Sequence, residues 1–117
     1  MSNTIIYGIK NCSTMKKAFD FLDGHNVAYT FHDYKKQGVD DDALRLAIKE
    51  FGWDQVINRR GMTWRQLDDV TKKTMDEAAA LQIAHEKPSI IKRPIIVHAG
   101  KVLLGFEEDA LTRVLDL

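Results

Sequence analysis

A strand, a helix and a second strand in succession at the start of the chain constrain the fold most strongly. Thr4–Gly8 is a β-branched and aromatic run closed by glycine, which predicts a strand. Apolar side chains then recur at the spacing of one helical face, at Met15, Ala18, Phe19 and Leu22, and Gly24 is expected as the C-cap of that helix. The run 27–31 (VAYTF) predicts the second strand. Two strands joined through a helix pair in parallel with a right-handed crossover, so we predict an α/β protein.

The middle of the chain is predicted to be helical. Asp40 or Asp41 is suited to cap a helix that ends at Gly52. Its apolar face comprises Leu44, Ala47, Ile48 and Phe51. Residues 53–84 are expected to form several short helical pieces, with a break at 59–61 and Thr63 as the cap of the piece that begins at Trp64. Glu77 to Ile83 is rich in good helix formers, which predicts one of these pieces.

The last third of the chain predicts a hairpin and a helix. Residues 86–91 are expected to be a loop, and the apolar runs 95–97 and 102–104 flank the turn Ala99–Gly100, as in a β-hairpin. A final helix is expected from about residue 107 to 115. Because the chain contains no repeat, low-complexity tract or linker, we predict one domain over residues 1–117 with a helical insert at about residues 40–90.

Composition excludes several classes of function. The 17 Lys and Arg balance the 17 Asp and Glu, so the chain has no overall charge that would attract nucleic acid or an anionic membrane. We expect no signal peptide and no membrane helix, since no apolar run reaches the roughly 18 residues that spanning requires. The chain has one cysteine, which excludes an internal disulfide and is typical of a reducing compartment. We therefore expect a cytoplasmic protein.

Cys12 follows the first strand and stands at the first turn of the first helix. A single cysteine in a small domain is more often a buried apolar residue than a nucleophile. Two features favour a reactive thiol here. The N–H groups and partial positive charge at a helix N-terminus favour thiolate, and Lys10, Lys16 and Lys17 stand where a helix start ordinarily has Asp or Glu. We therefore interpret Cys12 as reactive, and its resolving thiol must come from another molecule.

Two further basic clusters are candidates for binding anions. They are Asn58–Arg59–Arg60–Gly61 and Lys92–Arg93–Pro94. An arginine in a loop is usually a solvated surface charge, but the guanidinium group is also the side chain best suited to a bidentate grip on a carboxylate or an oxyanion. Spacing along the chain does not show whether these arginines meet Cys12.

Three segments together carry a family resemblance: IYGIKNCSTMKKA near the start, INRRGMTW in the middle and IKRPIIV near the end. They resemble the arsenate-reductase-like (ArsC) family of the thioredoxin superfamily, which contains arsenate reductases, the regulator Spx and the YffB proteins. The combination NC-x-T-x-KKA, R-G-x-T-W and IKRP is most similar to the YffB members. The resemblance implies a thioredoxin-like mixed sheet of four strands flanked by helices.

The resemblance also implies the site. The family's nucleophile falls on Cys12 and its two anion-binding arginines fall on Arg59 and Arg93, with Arg60 as the alternative to Arg59. Pro94 matches the cis-proline that the superfamily places beside its active site. The residues expected to bind substrate are Lys10, Asn11, Ser13, Thr14, Arg60 and Pro94.

Two departures from the family pattern bear on function. The third arginine of arsenate reductases is replaced here by Gly105–Phe106, and Met15 stands where a CxxC motif would have its second cysteine. We therefore predict a glutathione-dependent thiol reductase, with arsenate reductase as one alternative and a Spx-like regulator that docks on a transcription complex as another. Glutathione is the expected co-substrate and glutaredoxin a further possible partner. We expect a monomer without a permanently bound cofactor.

A metal site is not expected from the sequence. The four histidines show no spacing typical of metal ligands, and the single cysteine with scattered carboxylates makes none. Trp53 and Trp64 are interpreted as packing residues.

Overall fold

The structure is a computed structural model and describes residues 3–117. The strands are β1 (Thr4–Gly8), β2 (Thr30–Asp33), β3 (Ile95–His98) and β4 (Lys101–Leu104). The helices are α1 (Ser13–Gly24), α2 (Tyr34–Gln37), α3 (Asp41–Phe51), α4 (Trp53–Val56), α5 (Met62–Arg65), α6 (Asp69–Lys73), α7 (Glu77–Glu86) and α8 (Glu108–Val114), with a 3₁₀ turn at Pro88–Ile90. No helix within residues 3–117 is long and apolar enough to cross a membrane.

The chain divides into two compact units. The first runs through Gln37 and resumes at Arg93–Leu117, and the second is Gly38–Lys92. The second unit falls close to the helical insert expected at about residues 40–90, while the interpretation of the whole chain as one domain stays a prediction.

The first unit holds the sheet, in the order β2-β1-β3-β4. β1 pairs with β2 in parallel, and β3 is antiparallel to both β1 and β4. This is the mixed, four-stranded, helix-flanked α/β fold predicted above, which is therefore confirmed. Its core joins one face of the sheet to α1 and α8 through the buried residues Ile6, Met15, Ala18, Leu22, Ile96 and Leu111.

The junction between α1 and β2 differs from the prediction. The strand begins at Thr30, not at residue 27, because Val27 still belongs to the end of the helix: its N–H donates to the Leu22 carbonyl (2.9 Å). Asn26 takes the left-handed conformation (φ 56°) that closes such a helix end, and the C-cap is His25, so the prediction of Gly24 as the C-cap is wrong by one residue. Gly24 is the last residue of α1 instead.

The second unit contains α3 to α7 and the 3₁₀ turn. Asp40 caps α3 by accepting from the N–H of Ala43 (2.9 Å), and the helix ends at Gly52 (φ 87°), as predicted. Residues 86–91 are not a loop, since α7 extends to Glu86 and a 3₁₀ turn follows. Thr63 does not cap α5, which begins at Met62. Its hydroxyl instead pairs with that of Ser89 (2.7 Å).

Candidate active site

The sheet register explains why two distant parts of the chain meet. β3 runs antiparallel to β1, with Ile95 opposite Tyr7, so the start of β3 lies beside the end of β1. The end of β1 leads into Cys12, and the residues that precede β3 are Arg93 and Pro94. The structure therefore brings Arg93 to Cys12, the residue on which the resemblance places the family's nucleophile. The Arg93–Pro94 peptide bond is cis, as the resemblance implied.

Cys12 is the N-cap residue of α1. Its backbone is extended (φ −145°, ψ 133°), its N–H donates to the Lys10 carbonyl (3.2 Å) and its carbonyl accepts from the N–H of Lys16 (3.0 Å). The thiol makes no cap hydrogen bond of ordinary geometry. It nevertheless faces the first N–H groups of the helix, which have no partner inside a helix.

The environment favours the ionised form of the thiol. Burial by itself would raise the pKa of Cys12, but the N–H of Met15, a hydrogen bond from Arg93, the N–H of Thr14 and the charge of Arg93 together outweigh it. The pKa of Cys12 is therefore lowered from its ordinary value. Since thiolate is the nucleophilic form, a larger fraction of Cys12 is reactive near neutral pH than for an ordinary cysteine.

Cys12 is neither fully buried nor fully exposed, which bears on whether it is a structural or a reactive cysteine. The side chain packs against the edge of the apolar core of the first unit, and it also retains partial exposure. A purely structural cysteine would be enclosed and would have its pKa raised by its apolar surroundings. Partial exposure together with a lowered pKa is the arrangement expected of a reactive thiol.

The other expected substrate-binding residues of the first unit surround Cys12 in sequence. Lys10, Asn11 and Ser13 are exposed, Thr14 is half-buried and Pro94 is buried. Thr14 also acts through its backbone N–H, as described above. The substrate contacts of these five residues stay predictions.

Arg59 and Arg60 belong to the second unit. Both are exposed and lie in a turn built by Asn58, whose side-chain oxygen accepts from the N–H of Arg60 (3.2 Å) and whose carbonyl accepts from the N–H of Gly61 (3.2 Å). The assignment of one of these arginines to the site of Cys12 stays a prediction. Both line a cavity of about 620 Å³ within the second unit.

Sequence reasoning missed two features of these regions. The side chain of Met15 lies so close to Gly8 that a Cβ atom at Gly8 would be 2.5 Å from the Met15 sulfur. Lys92 and Trp64 join the two arginines in lining the cavity of the second unit. The occurrence of Trp64 beside the Arg59–Arg60 turn in the sequence was the available signal for the second feature.

Within residues 3–117, no three His, Cys, Asp or Glu side chains are grouped so that they could hold a metal ion.

Comparison with known proteins identifies the family. The family model described as the ArsC family matches residues 7–114. The chain belongs to the ArsC family. A solved structure of a YffB protein is 48% identical, has a TM-score of 0.91 and is matched over 96% of this chain and 98% of its own.

Two further relatives show the breadth of the ArsC family around this chain. The solution structure of an arsenate reductase (ArsC) related protein from Brucella melitensis is 42% identical, with a TM-score of 0.75 and coverage of 100% of this chain and 97% of that one. The global transcriptional regulator Spx of Staphylococcus haemolyticus is 27% identical, over 90% of this chain and 81% of its own. The resemblance recognised from three sequence motifs is therefore confirmed.

In this member of the ArsC family, the two departures from the family pattern have structural roles. Met15 is fully buried in the core, so its side chain takes no part in redox chemistry at the surface. Gly105 has a positive φ (74°) and donates to the Pro94 carbonyl (2.7 Å), while Phe106 packs edge-on against Phe21 at 5.9 Å. The Gly105 hydrogen bond supports the segment that carries Arg93 and Pro94.

Proposed function

We propose that this ArsC-family protein is a glutathione-dependent thiol-disulfide reductase in which Cys12 is the nucleophile. The observation that carries the proposal is the Cys12–Arg93 pair at the start of α1, where amide groups and a guanidinium lower the pKa of a partly exposed thiol. The reductase acts in a reducing compartment, since its single cysteine requires an external thiol to complete the cycle.

The proposed cycle has two exchange steps. The Cys12 thiolate attacks one sulfur of a substrate disulfide; a bond forms between the two sulfurs, and the other half of the substrate leaves as a thiolate, which takes a proton from water. Cys12 is then oxidised as a mixed disulfide. The thiolate of glutathione attacks the non-protein sulfur of that bond, and the electron pair returns to Cys12. Arg93 stabilises the Cys12 thiolate both as nucleophile and as leaving group.

The single cysteine supports glutathione as the source of electrons. Met15 excludes an internal CxxC disulfide, so the resolving thiol is a separate molecule. Glutathione provides that thiol together with two carboxylates, which guanidinium groups bind well.

The first test measures the rate of Cys12 alkylation by iodoacetamide as a function of pH. Because the folded environment lowers the pKa of the thiol, half-maximal reactivity is expected at a lower pH than for free cysteine. Arg93→Met removes a hydrogen bond and a positive charge from the thiolate while burial persists, so it is expected to move the midpoint to higher pH. Arg113→Met, which removes an exposed guanidinium from α8 of the same unit, is the matched control and should not move it.

The second test measures reduction of a small mixed disulfide by glutathione with the wild-type protein and Cys12→Ser. The proposal requires turnover that is lost in Cys12→Ser. A Cys12 midpoint at or above that of free cysteine, or equal turnover by Cys12→Ser, would contradict it.

The Spx relative supports a second candidate, a regulator that docks on a transcription complex. Absence of disulfide turnover combined with direct binding to purified RNA polymerase would favour that candidate. Reduction of arsenate at a rate above that of mixed disulfides would instead favour the arsenate reductase alternative, which the ArsC-related neighbour supports.

A further inference from the structure

One segment of the second unit contributes no fully buried side chain to that unit. This segment, residues 62–74, comprises α5, the linker 66–68, α6 and Thr74, and each of its residues is half-buried or exposed. In contrast, α3 has four buried residues and α7 has two. We call residues 62–74 the strap. Because burial of apolar surface is the main force that holds an element in place, the strap is held more weakly than α3 or α7.

The apolar side chains of the strap are largely turned to solvent. Met62 is 70% exposed and Val70 is 71% exposed, while Trp64 and Leu67 are half-buried. The two helices do not compensate through their own stability, since α5 has 4 residues and α6 has 5, and isolated helices shorter than about 12 residues are marginal in water. Hydrogen bonds to the rest of the unit therefore matter more for the strap than for the other helices.

Within the part of the chain that the structure describes, a single hydrogen bond joins the strap to a segment that is distant in the sequence. It links the hydroxyl of Thr63 to that of Ser89 in the 3₁₀ turn (2.7 Å). The bond from the Lys72 ammonium to the Arg65 carbonyl (3.3 Å) stays inside the strap. None of the ion pairs among residues 3–117 includes a strap residue. We call the Thr63–Ser89 pair the clasp.

Both ends of the strap are attached to the unit. Before the strap, the N–H of Asn58 donates to the Ile90 carbonyl (2.8 Å), and the Asn58 carbonyl accepts from the N–H of Gly61 (3.2 Å). After the strap, Met75 is buried. The strap is therefore a weakly held segment between two fixed points, and such a segment can open locally while the elements around it stay folded.

We propose that the strap opens independently of the rest of the second unit and that the Thr63–Ser89 clasp controls the equilibrium between its closed and open states. Trp64 belongs to the strap and lines the cavity of about 620 Å³, whereas Ile57 and Lys92 line the same cavity from outside the strap. Opening removes the wall that Trp64 provides, so the strap gates the cavity. This inference does not depend on the function proposed for Cys12 or on what the cavity binds.

Hydrogen–deuterium exchange of the full chain, followed by mass spectrometry, tests the proposal. In the wild type, amides of the strap should exchange at least about tenfold faster than those of α3 and α7, after correction for intrinsic rates. Thr63→Val and Ser89→Ala each remove the clasp. Each should speed exchange in the strap by about two- to tenfold, as expected for the loss of one neutral hydrogen bond, and should leave α3 and α7 unchanged.

Thr112→Val is the matched control for these variants. It makes the same substitution at another half-buried threonine, whose hydroxyl donates to the Glu108 carbonyl in α8 (2.8 Å). Exchange in the strap should then equal that of the wild type. Retained protection of α3 and α7 shows that each variant is folded.

A removable crosslink provides the opposite perturbation. The two clasp oxygens lie 2.7 Å apart, close to the separation of about 2.05 Å between disulfide-bonded sulfur atoms, so T63C/S89C can form a disulfide. The C12S background removes the native thiol. The oxidised protein should show exchange in the strap that is about tenfold or more slower than in its reduced form. With W53F added, Trp64 is the remaining tryptophan, and acrylamide should quench its emission less in the oxidised form.

The outcomes that would overturn the inference are distinct. Exchange in the strap as slow as in α3 and α7 would show that the strap opens only when the whole unit unfolds. Clasp variants that match the wild type, or that speed exchange equally in the strap, α3 and α7, would remove the role of the clasp. Equal acrylamide quenching of Trp64 in the oxidised and reduced forms would remove the gate.

Discussion

Gly8→Ala is a substitution whose effect can be worked out from one contact. Gly8 is the buried last residue of β1, and a Cβ atom there would lie 2.5 Å from the sulfur and 2.8 Å from the terminal methyl carbon of Met15. Ordinary contacts of a Cβ atom are 3.4–4 Å, so the end of the Met15 side chain must move by about 1 Å. Gly8 does not have a positive φ, so the steric contact and not backbone strain determines the effect.

The cost depends on whether Met15 can move. Methionine is flexible and usually adapts to its neighbours, but Met15 is fully buried in a cluster that contains Ile6, Leu22 and Ile96. Close-packed interiors have little free volume, and overpacking ordinarily costs about 1–3 kcal/mol. We therefore expect Gly8→Ala to lower the free energy of unfolding by about 1–3 kcal/mol.

Urea unfolding followed by circular dichroism measures this free energy, and a double-mutant cycle with Met15→Ala assigns it. The single variant Met15→Ala is expected to cost about 2–5 kcal/mol through the cavity it leaves. In that background the added methyl group has space, so Gly8→Ala should no longer destabilise, and the two substitutions should be coupled by about 1–3 kcal/mol.

Gly24→Ala is the matched control for this experiment. A Cβ atom at Gly24 would meet no other atom within 4 Å, and the residue is helical, so the substitution should stabilise by about 0.5–1 kcal/mol. Equal destabilisation by Gly8→Ala in the wild-type and Met15→Ala backgrounds would refute the steric reasoning.

Two other predictions concern local structure and are measured by the same urea unfolding. Asp40→Ala removes the acceptor of the Ala43 N–H at the start of α3 and should lower the free energy of unfolding by about 1 kcal/mol. Asp42→Ala removes a carboxylate that is not the cap, so it should lower that free energy by less. Equal losses of stability in the two variants would contradict the capping role. In the hairpin, Ala99 and Gly100 both have positive φ values, 48° and 82°. Gly100→Ala should therefore destabilise the protein by about 1–2 kcal/mol. Ala99→Asn should stabilise it, since Asn-Gly suits a turn with two positive φ values. Destabilisation by Ala99→Asn would show that the turn does not control this hairpin.

The sequence by itself determined the parts of this protein that depend on neighbouring residues. The cap at Asp40, the helix end at Gly52, the hairpin around Ala99–Gly100 and the strand Thr4–Gly8 all agree with the structure. Each rests on a hydrogen bond, a backbone angle or an apolar period within a few residues, and such local preferences are encoded where they act. Three motifs in order were also enough to recognise the ArsC family.

The tertiary structure alone decided which distant groups share a site. Arg93 meets Cys12 because β3 pairs antiparallel with β1, and the start of β2 is displaced to Thr30 because the closing turn of α1 uses Val27. The packing of Met15 against Gly8 and the joining of Lys92 to the turn of Arg59 likewise require contacts between separate segments. Register and packing depend on how all segments fit together, and one segment's residue pattern does not contain that information.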